Sequence, residues 1–381
     1  MILPTPLRAI LALSAVCAAL GAAGCASPGG LQALLVDGLR AHIHERGLNP
    51  DDVELPFALN AEMRDWVRER ASLGGDPENR LDQLLQQLIN RGDVPLKYES
   101  GHTGTAREVW ESGRANCLAF THLFVGMARE VDLPVYYLRV SDLQSYEKDG
   151  DLVIASEHIT AAYGPPNQRR VLDFSDRPVT PYHVVEPISD LTAVALFYSN
   201  RGAERIRDGR TAEALALLTT AVRLDPELSD GWVNYGVAQR RSGRARDAES
   251  AYRRALELDP GQISAYQNLA ALLEIQGRGA EAKELLAVTD RGANKNPYSY
   301  LALGDLSLRQ GRLDEAERFY RRALRLGPQQ AETNAALGLW AISAGKTREA
   351  RNWLRKAEKL DPAHPRVEEL ARRLRAQGRE S

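Results

Sequence analysis

The chain has 381 residues, 44% apolar and 26% charged, with a formal net charge of −2. That length calls for two domains, and the composition excludes a disordered chain. The near-neutral balance, with no concentrated basic patch, argues against nucleic acid as a partner, because phosphate binding needs clustered cations.

Near the N-terminus Arg8 is followed by an apolar, small-residue run over Ala9 to Ala23. The run is shorter than the ~20 residues of a bilayer-crossing helix and suits the apolar region of a secretory signal. Ala22-Ala23-Gly24-Cys25 resembles the lipobox of bacterial lipoproteins, departing from it at Ala22, where the usual residue is Leu. The resemblance implies removal of residues 1–24 and lipidation of Cys25. It also implies anchoring in the bacterial envelope, at the periplasmic face of the outer membrane in a Gram-negative cell. Ser27-Pro28-Gly29-Gly30 then reads as a flexible tether. Two alternatives stay open: cleavage after Ala26, which would release a soluble protein, and an uncleaved anchor. No later apolar run is long enough to span a membrane.

Helical spacing follows over Leu31–Arg46 (Leu31, Leu34, Leu35, Leu39, Ile43), and residues 58–73 and 80–91 also read as helices. Thr105-Ala106 begins a further helix that carries Val109 and Trp110 and ends near Gly113. Asn116 is placed to cap the next helix, with Cys117 as its first residue. Leu118, Phe120, Phe124, Val125, Ala128 and Val131 make that helix apolar on most faces, hence central, and Leu133-Pro134 ends it. Three strands are predicted next: Val135–Val140, then Val153–Tyr163 carrying His158, then, after the Gly164-Pro165-Pro166-Asn167 turn, Arg170–Phe174 carrying Asp173.

Of the three cysteines, Cys17 lies in the leader and Cys25 at its end, where it would carry the lipid, so Cys117 has no disulfide partner in the mature chain. An exported compartment is usually oxidising, and a lone thiol there is either shielded or used. A nucleophile, a base and an orienting acid in the order Cys117, His158, Asp173 point to cysteine-based acyl transfer. Asp176 is a rival for the acid. His122 lies five residues from Cys117, well around the same helix, and reads as structural; His102 sits in a Gly-rich loop beside the thiol as a gate. One cysteine and scattered histidines lack metal-ligand spacing, and no cofactor is called for.

The order of helix with Cys, strand, strand with His and strand with Asp, headed by Asn116-Cys117, is similar to the transglutaminase-like and papain-like superfamily. The closest likeness is to bacterial transglutaminase-like cysteine peptidase domains, over about residues 95–180. That resemblance implies an α+β fold with Cys117 as nucleophile, His158 as general base and Asp173 as its orienter. The backbone N–H of Cys117 is one oxyanion donor; Tyr98 and Trp110 are the upstream residues considered for the second or for lining the site.

From residue 195 the sequence repeats. Gly202, Gly236, Ala270, Gly304 and Gly338 are spaced by 34, as are Gly209, Gly243, Gly277, Gly311 and Gly345, and Ala214, Ala248, Ala282, Ala316 and Ala350. Prolines close the units at Pro226, Pro260, Pro328 and Pro362, with Asn294 in the third slot. Residues 195–364 thus resemble five tetratricopeptide repeats, each of two antiparallel helices, followed by a capping helix and tail over 365–381. The resemblance implies an all-α solenoid whose groove docks a protein or peptide.

The whole is expected to be a signal peptide (1–24), an α+β transglutaminase-like domain with lead-in helices (31–190) and the repeat array. The expected function is an envelope lipoprotein acting on amide or isopeptide bonds, as peptidase, amidase or transamidase, through a thioacyl intermediate. The alternative is a non-catalytic scaffold in which that fold is idle.

Overall fold

The computed structural model describes residues 29–70, 76–89, 96–99, 101–149, 152–174, 184–291, 297–309 and 311–380. The leader with Cys25, the rival acid Asp176 and the terminator Asn294 lie outside the described residues. The chain divides into two compact units, one of residues 1–145 and 155–251, the other of residues 146–154 and 252–381.

The first unit begins with α1 (Gly30–Glu45), α2 (Ala61–Arg70) and α3 (Pro77–Ile89). Helix α1 buries Leu31, Leu39 and Ile43, but Leu34, expected on the same stripe, is 58% exposed. At 100° per residue Leu34 falls half a turn from Ile43, so the stripe that faces the core leaves it out.

Helix α4 (Ala106–Ser112) starts on a capping box: the Thr105 hydroxyl accepts from the Glu108 N–H, and the Glu108 carboxylate accepts from the Thr105 N–H. Gly113 ends it in the left-handed conformation, at φ 70. The central helix is α5 (Cys117–Glu130), where Asn116 accepts from the Ala119 N–H at 2.9 Å as the N-cap. From Leu118 to Glu130 every residue except the half-buried Phe120 is buried. The helix passes so close to its neighbours that a Cβ on Gly126 would collide with the Phe57 carbonyl oxygen. At its C-terminal end the buried Arg129 donates to both carboxylate oxygens of Asp190, at 2.7 and 2.9 Å, and to the Val135 carbonyl at 3.1 Å. A guanidinium taken out of water in this way is tolerable only because its donors are matched by acceptors in a fork.

Four strands form one sheet in the order β5-β4-β3-β6: β3 (Val135–Asp149), β4 (Leu152–Tyr163), β5 (Arg170–Leu172) and β6 (Val185–Ile188). Strands β4 and β5 are antiparallel, as are β3 and β6. A second, two-stranded parallel pairing joins β1 (Lys97–Tyr98) to β2 (Arg114–Ala115). Strands β1, β2 and β6 were not expected, because two to four residues are too few to display an alternating pattern.

Helix α6 (Asp190–Arg207) was expected to open the repeats at residue 195, separate from the preceding region. It begins five residues earlier and buries Ala193, Val194, Phe197 and Tyr198 in the same core as α5. The period is otherwise kept. First helices α8 (Ser229–Arg241), α10 (Ile263–Ile275), α12 (Pro297–Arg309) and α14 (Ala331–Ser343) start 34 residues apart. So do second helices α7 (Thr211–Leu224), α9 (Ala245–Leu258), α11 (Gly279–Arg291), α13 (Leu313–Leu326) and α15 (Thr347–Leu360). The glycines of the 209 series all have positive φ, from 72 to 77, with nothing near a would-be Cβ, so the turn and not the space requires glycine.

In the second unit the 304 series works the other way: Gly304 lies against the Tyr320 ring and Gly338 against Leu370. Leu370 belongs to α16 (Pro365–Glu380), which buries Val367, Leu370 and Leu374 as a terminal cover. Arg366 from the same helix pairs with Asp305 at 2.8 Å, and the Tyr320 hydroxyl donates to the other Asp305 oxygen at 2.8 Å.

Gly126→Ala should therefore destabilise the first unit by about 1–3 kcal/mol through overpacking. Gly38→Ala, on the open face of α1 with nothing within 4 Å, should stabilise by up to about 1 kcal/mol. Urea denaturation of both variants against wild type checks the opposite signs.

Candidate functional site

Cys117 is the first residue of α5, and its half-buried thiol is the free cysteine of the described residues. The Asn116 cap holds the start of the helix, and the Thr121 hydroxyl donates to the Cys117 carbonyl at 2.7 Å, tightening the first turn. A thiol so placed faces the positive end of a helix buried along its length.

His158 comes from β4 and Asp173 from the residue just after β5. The register pairs Ala161 with Leu172, so its next step sets Thr160 opposite Asp173, two residues from His158 on the same face. His158 Nε2–H donates to Asp173 Oδ1 at 3.0 Å, with both side chains about nine-tenths buried. Cys117 lies near enough to His158 to act on its protonation, favouring the charged imidazole. Asp173 is held from behind: the Thr160 hydroxyl donates to the Leu172 carbonyl, and the Phe174 ring stacks on Phe120 at 5.0 Å and packs against Phe124 at 5.2 Å. Cys117, His158 and Asp173, distant in sequence, are thus brought near one another, with His158 bonded to Asp173 and influenced by Cys117.

Burial drives the His158 pKa down, but hydrogen bonds to Asp173 and Cys117, and the negative charge of both, outweigh it and raise the value to about 10. His122, on the same helix as the thiol, shows the opposite case. It is fully buried, bonded to the Tyr137 hydroxyl (2.9 Å at Nδ1) and set against the Tyr137 and Phe197 rings, and burial lowers its pKa to about 3. It is a neutral core residue.

Trp110 is buried edge-on against Trp66 and its indole N–H donates to Glu62 at 3.2 Å. Tyr98, on β1, is 38% exposed. His102 lies in the loop before α4, and its carbonyl accepts from the Asn116 N–H at 3.1 Å, so its backbone abuts the cysteine turn. Among the described residues no group of three or more His, Cys, Asp or Glu is arranged to hold a metal, and no helix is long and apolar enough to cross a membrane.

Three residues without a sequence signal of their own also bear on the site: Thr103, Arg201 and Glu204. The Thr103 N–H donates to Glu204 at 2.7 Å, and the Asn116 side-chain amide donates to the Thr103 hydroxyl at 2.7 Å. The one local mark on this loop is Glu108 three residues after Thr105, the spacing of a capping box.

His158 binds its proton more tightly in the folded chain than in the unfolded one, where the value is 6.5. Its pairing therefore stabilises the fold fully below pH 6.5, and that contribution is lost as pH rises through about 10. The stability difference between wild type and His158→Gln, followed by urea denaturation across this range, should be largest at the acid end and shrink toward the alkaline end.

Comparison with known proteins bears on the second half of the chain. A tetratricopeptide-repeat family model matches residues 205–273 and 307–377, and a second tetratricopeptide-repeat model matches residues 265–331. No curated protein matches the sequence. Similar solved structures include PilF of Pseudomonas aeruginosa, 22% identical over 46% of this chain and 81% of that one, with a TM-score of 0.41. A thermophilic tetratricopeptide protein of Thermus thermophilus is 22% identical over 48% of this chain and 97% of its own, with a TM-score of 0.42. YrrB, a tetratricopeptide protein with an unusual peptide-binding site, is 18% identical over 47% and 92%, with a TM-score of 0.34. The matched families and the helix spacing of 34 agree, and the second half of this chain is an array of tetratricopeptide repeats.

Proposed function

We propose that the chain is a thiol acyl-transfer enzyme of the transglutaminase-like kind, acting on amide or isopeptide bonds of a partner docked by its repeats. The observation that carries this reading is the convergence of the three residues: His158 is bonded to Asp173 at 3.0 Å and its protonation is raised by both Asp173 and Cys117. The Cys117 thiolate attacks the carbonyl carbon, forming a C–S bond while the carbonyl electron pair moves to oxygen. The backbone N–H at the start of α5 faces that oxygen's charge. Collapse of the tetrahedral adduct breaks the C–N bond, and the His158 imidazolium gives its proton to the departing amine. A water molecule or an amine then attacks the thioester and gives its proton to His158; the C–S bond breaks, which releases acid or a new amide and restores the Cys117 thiolate beside the His158 imidazolium. Asp173 holds the imidazole orientation and offsets its charge throughout, as a triad acid does.

A second reading is an interaction protein whose transglutaminase-like fold is idle. It is favoured by the repeats themselves, since a docking array needs no nucleophile. The two part on one measurement. At about pH 6.5 the enzyme reading expects Cys117 of the native protein to react with iodoacetamide faster than free glutathione does, and expects His158→Ala to slow it. Labelling only after denaturation supports the idle fold. In whole envelope extract, wild type against Cys117→Ala should then differ in amide or isopeptide cleavage, and incorporation of an added amine separates transferase from hydrolase.

Under the same reading the protein is held at the bacterial envelope by a lipid on Cys25, with Ser27 to Gly30 as the tether. Intact mass should show an acyl adduct in wild type that Cys25→Ala lacks, and the variant should move from the membrane to the soluble fraction.

A further inference from the structure

Thr103 spends all three of its polar groups on two other elements. Its N–H donates to Glu204 at 2.7 Å and its carbonyl accepts from Arg201 at 3.3 Å, both from α6, the first repeat helix. Its hydroxyl accepts from the Asn116 amide at 2.7 Å. Asn116 in turn caps α5 through the Ala119 N–H and donates its own N–H to the His102 carbonyl. Cys117 is the next residue. Arg201 also pairs with Glu108 of the capping box, at 2.9 Å, so the loop is gripped at both ends. Thr103, Thr105 and Asn116 are all buried, and burial raises the Glu204 pKa against the bonds it receives from Thr103. Buried polar chains of this kind permit little slack, because each lost bond leaves a desolvated group without a partner.

Helix α6 is also tied to the unit at other points, through Asp190 to Arg129 and through the Tyr198 hydroxyl, which accepts from the Glu54 N–H at 2.8 Å. On its other side Ser199 accepts from Asn234 of the next repeat at 3.0 Å. One helix thus faces the repeats and the turn that presents the thiol.

We propose that Glu204 and Arg201 of the first repeat helix are positioning residues for Cys117, setting its reactivity through Thr103 and the Asn116 cap. The inference rests on the enzyme reading above. It makes the first repeat part of the reactive site's support, so a partner that shifts α6 changes the thiol's presentation.

The test is the iodoacetamide rate of Cys117 in the full chain at neutral pH, with circular dichroism to verify folding. Glu204→Ala should slow the reaction by about tenfold or more, the scale on which small misplacements near a reacting atom act. Glu204→Gln, which keeps an oxygen to accept from Thr103, should restore the wild-type rate. Leu218→Ala, which weakens the first repeat at its contact with Gly202 without touching the loop, should leave the rate unchanged. A wild-type rate in Glu204→Ala, or equal slowing in Leu218→Ala, overturns the inference. Where Glu204→Ala does not fold, Thr103→Val decides, since it keeps the N–H to Glu204 and removes the hydroxyl that joins Glu204's loop to the Asn116 cap: a slowed thiol supports the inference and an unchanged one overturns it. If His158→Ala reacts as fast as wild type, the enzyme reading fails and takes the inference with it; if His158→Ala is slow and Glu204→Ala is not, the inference alone fails.

Discussion

A helix buried on every side can offer the solvent only its ends. Helix α5 is in that position from Leu118 to Glu130, and the constraint organises the first unit. Its packing is close enough to require glycine at 126, and its far end is closed by the Arg129–Asp190 fork. What remains partly accessible at its start is Cys117, half-buried beside the Asn116 cap. The helix dipole, the free N–H groups of that turn and the free thiol therefore coincide by construction.

The sheet supplies the partners. Its pleat puts His158 and Asp173 on one face a diagonal step apart, and the Phe174 ring against Phe120 and Phe124 locks the end of β5 to α5. Two histidines of the same unit then acquire opposite character from their surroundings alone. His158 has a carboxylate and a sulfur and holds its proton far above neutrality; His122 has a phenol and aromatic rings and cannot hold one. Desolvation acts on both, and only the presence of negative partners reverses its sign.

The repeats obey a different logic. Their glycines fall into two classes that a sequence period cannot tell apart: one set demanded by positive φ after the first helix, the other by the nearness of a ring or a leucine. Yet α6 breaks the modular picture. It keeps the repeat's spacing while its apolar face completes the core around α5, so the boundary expected near residue 190 to 195 is crossed by a single continuous helix. Periodicity records what a helix shares with later units; it carries no sign of what the same helix buries on its other side.

What the sequence determined by itself is local or periodic. The apolar surround of α5, the Asn116 cap ahead of Cys117, the Thr105 to Glu108 box and the 34-residue spacing all follow from residue types at short or fixed intervals. The three chemistry-bearing residues could be nominated from type and order, since a lone thiol, a histidine on an apolar strand and a nearby aspartate are few. Only the tertiary structure decided the rest: which histidine is charged, that the Trp110 N–H goes to Glu62, that short strands β1, β2 and β6 exist, and that Glu204 reaches Thr103 across a separation of 101 residues. Those facts depend on contacts between segments far apart along the chain, and the free energy of such contacts is a property of shape and burial that no local pattern encodes.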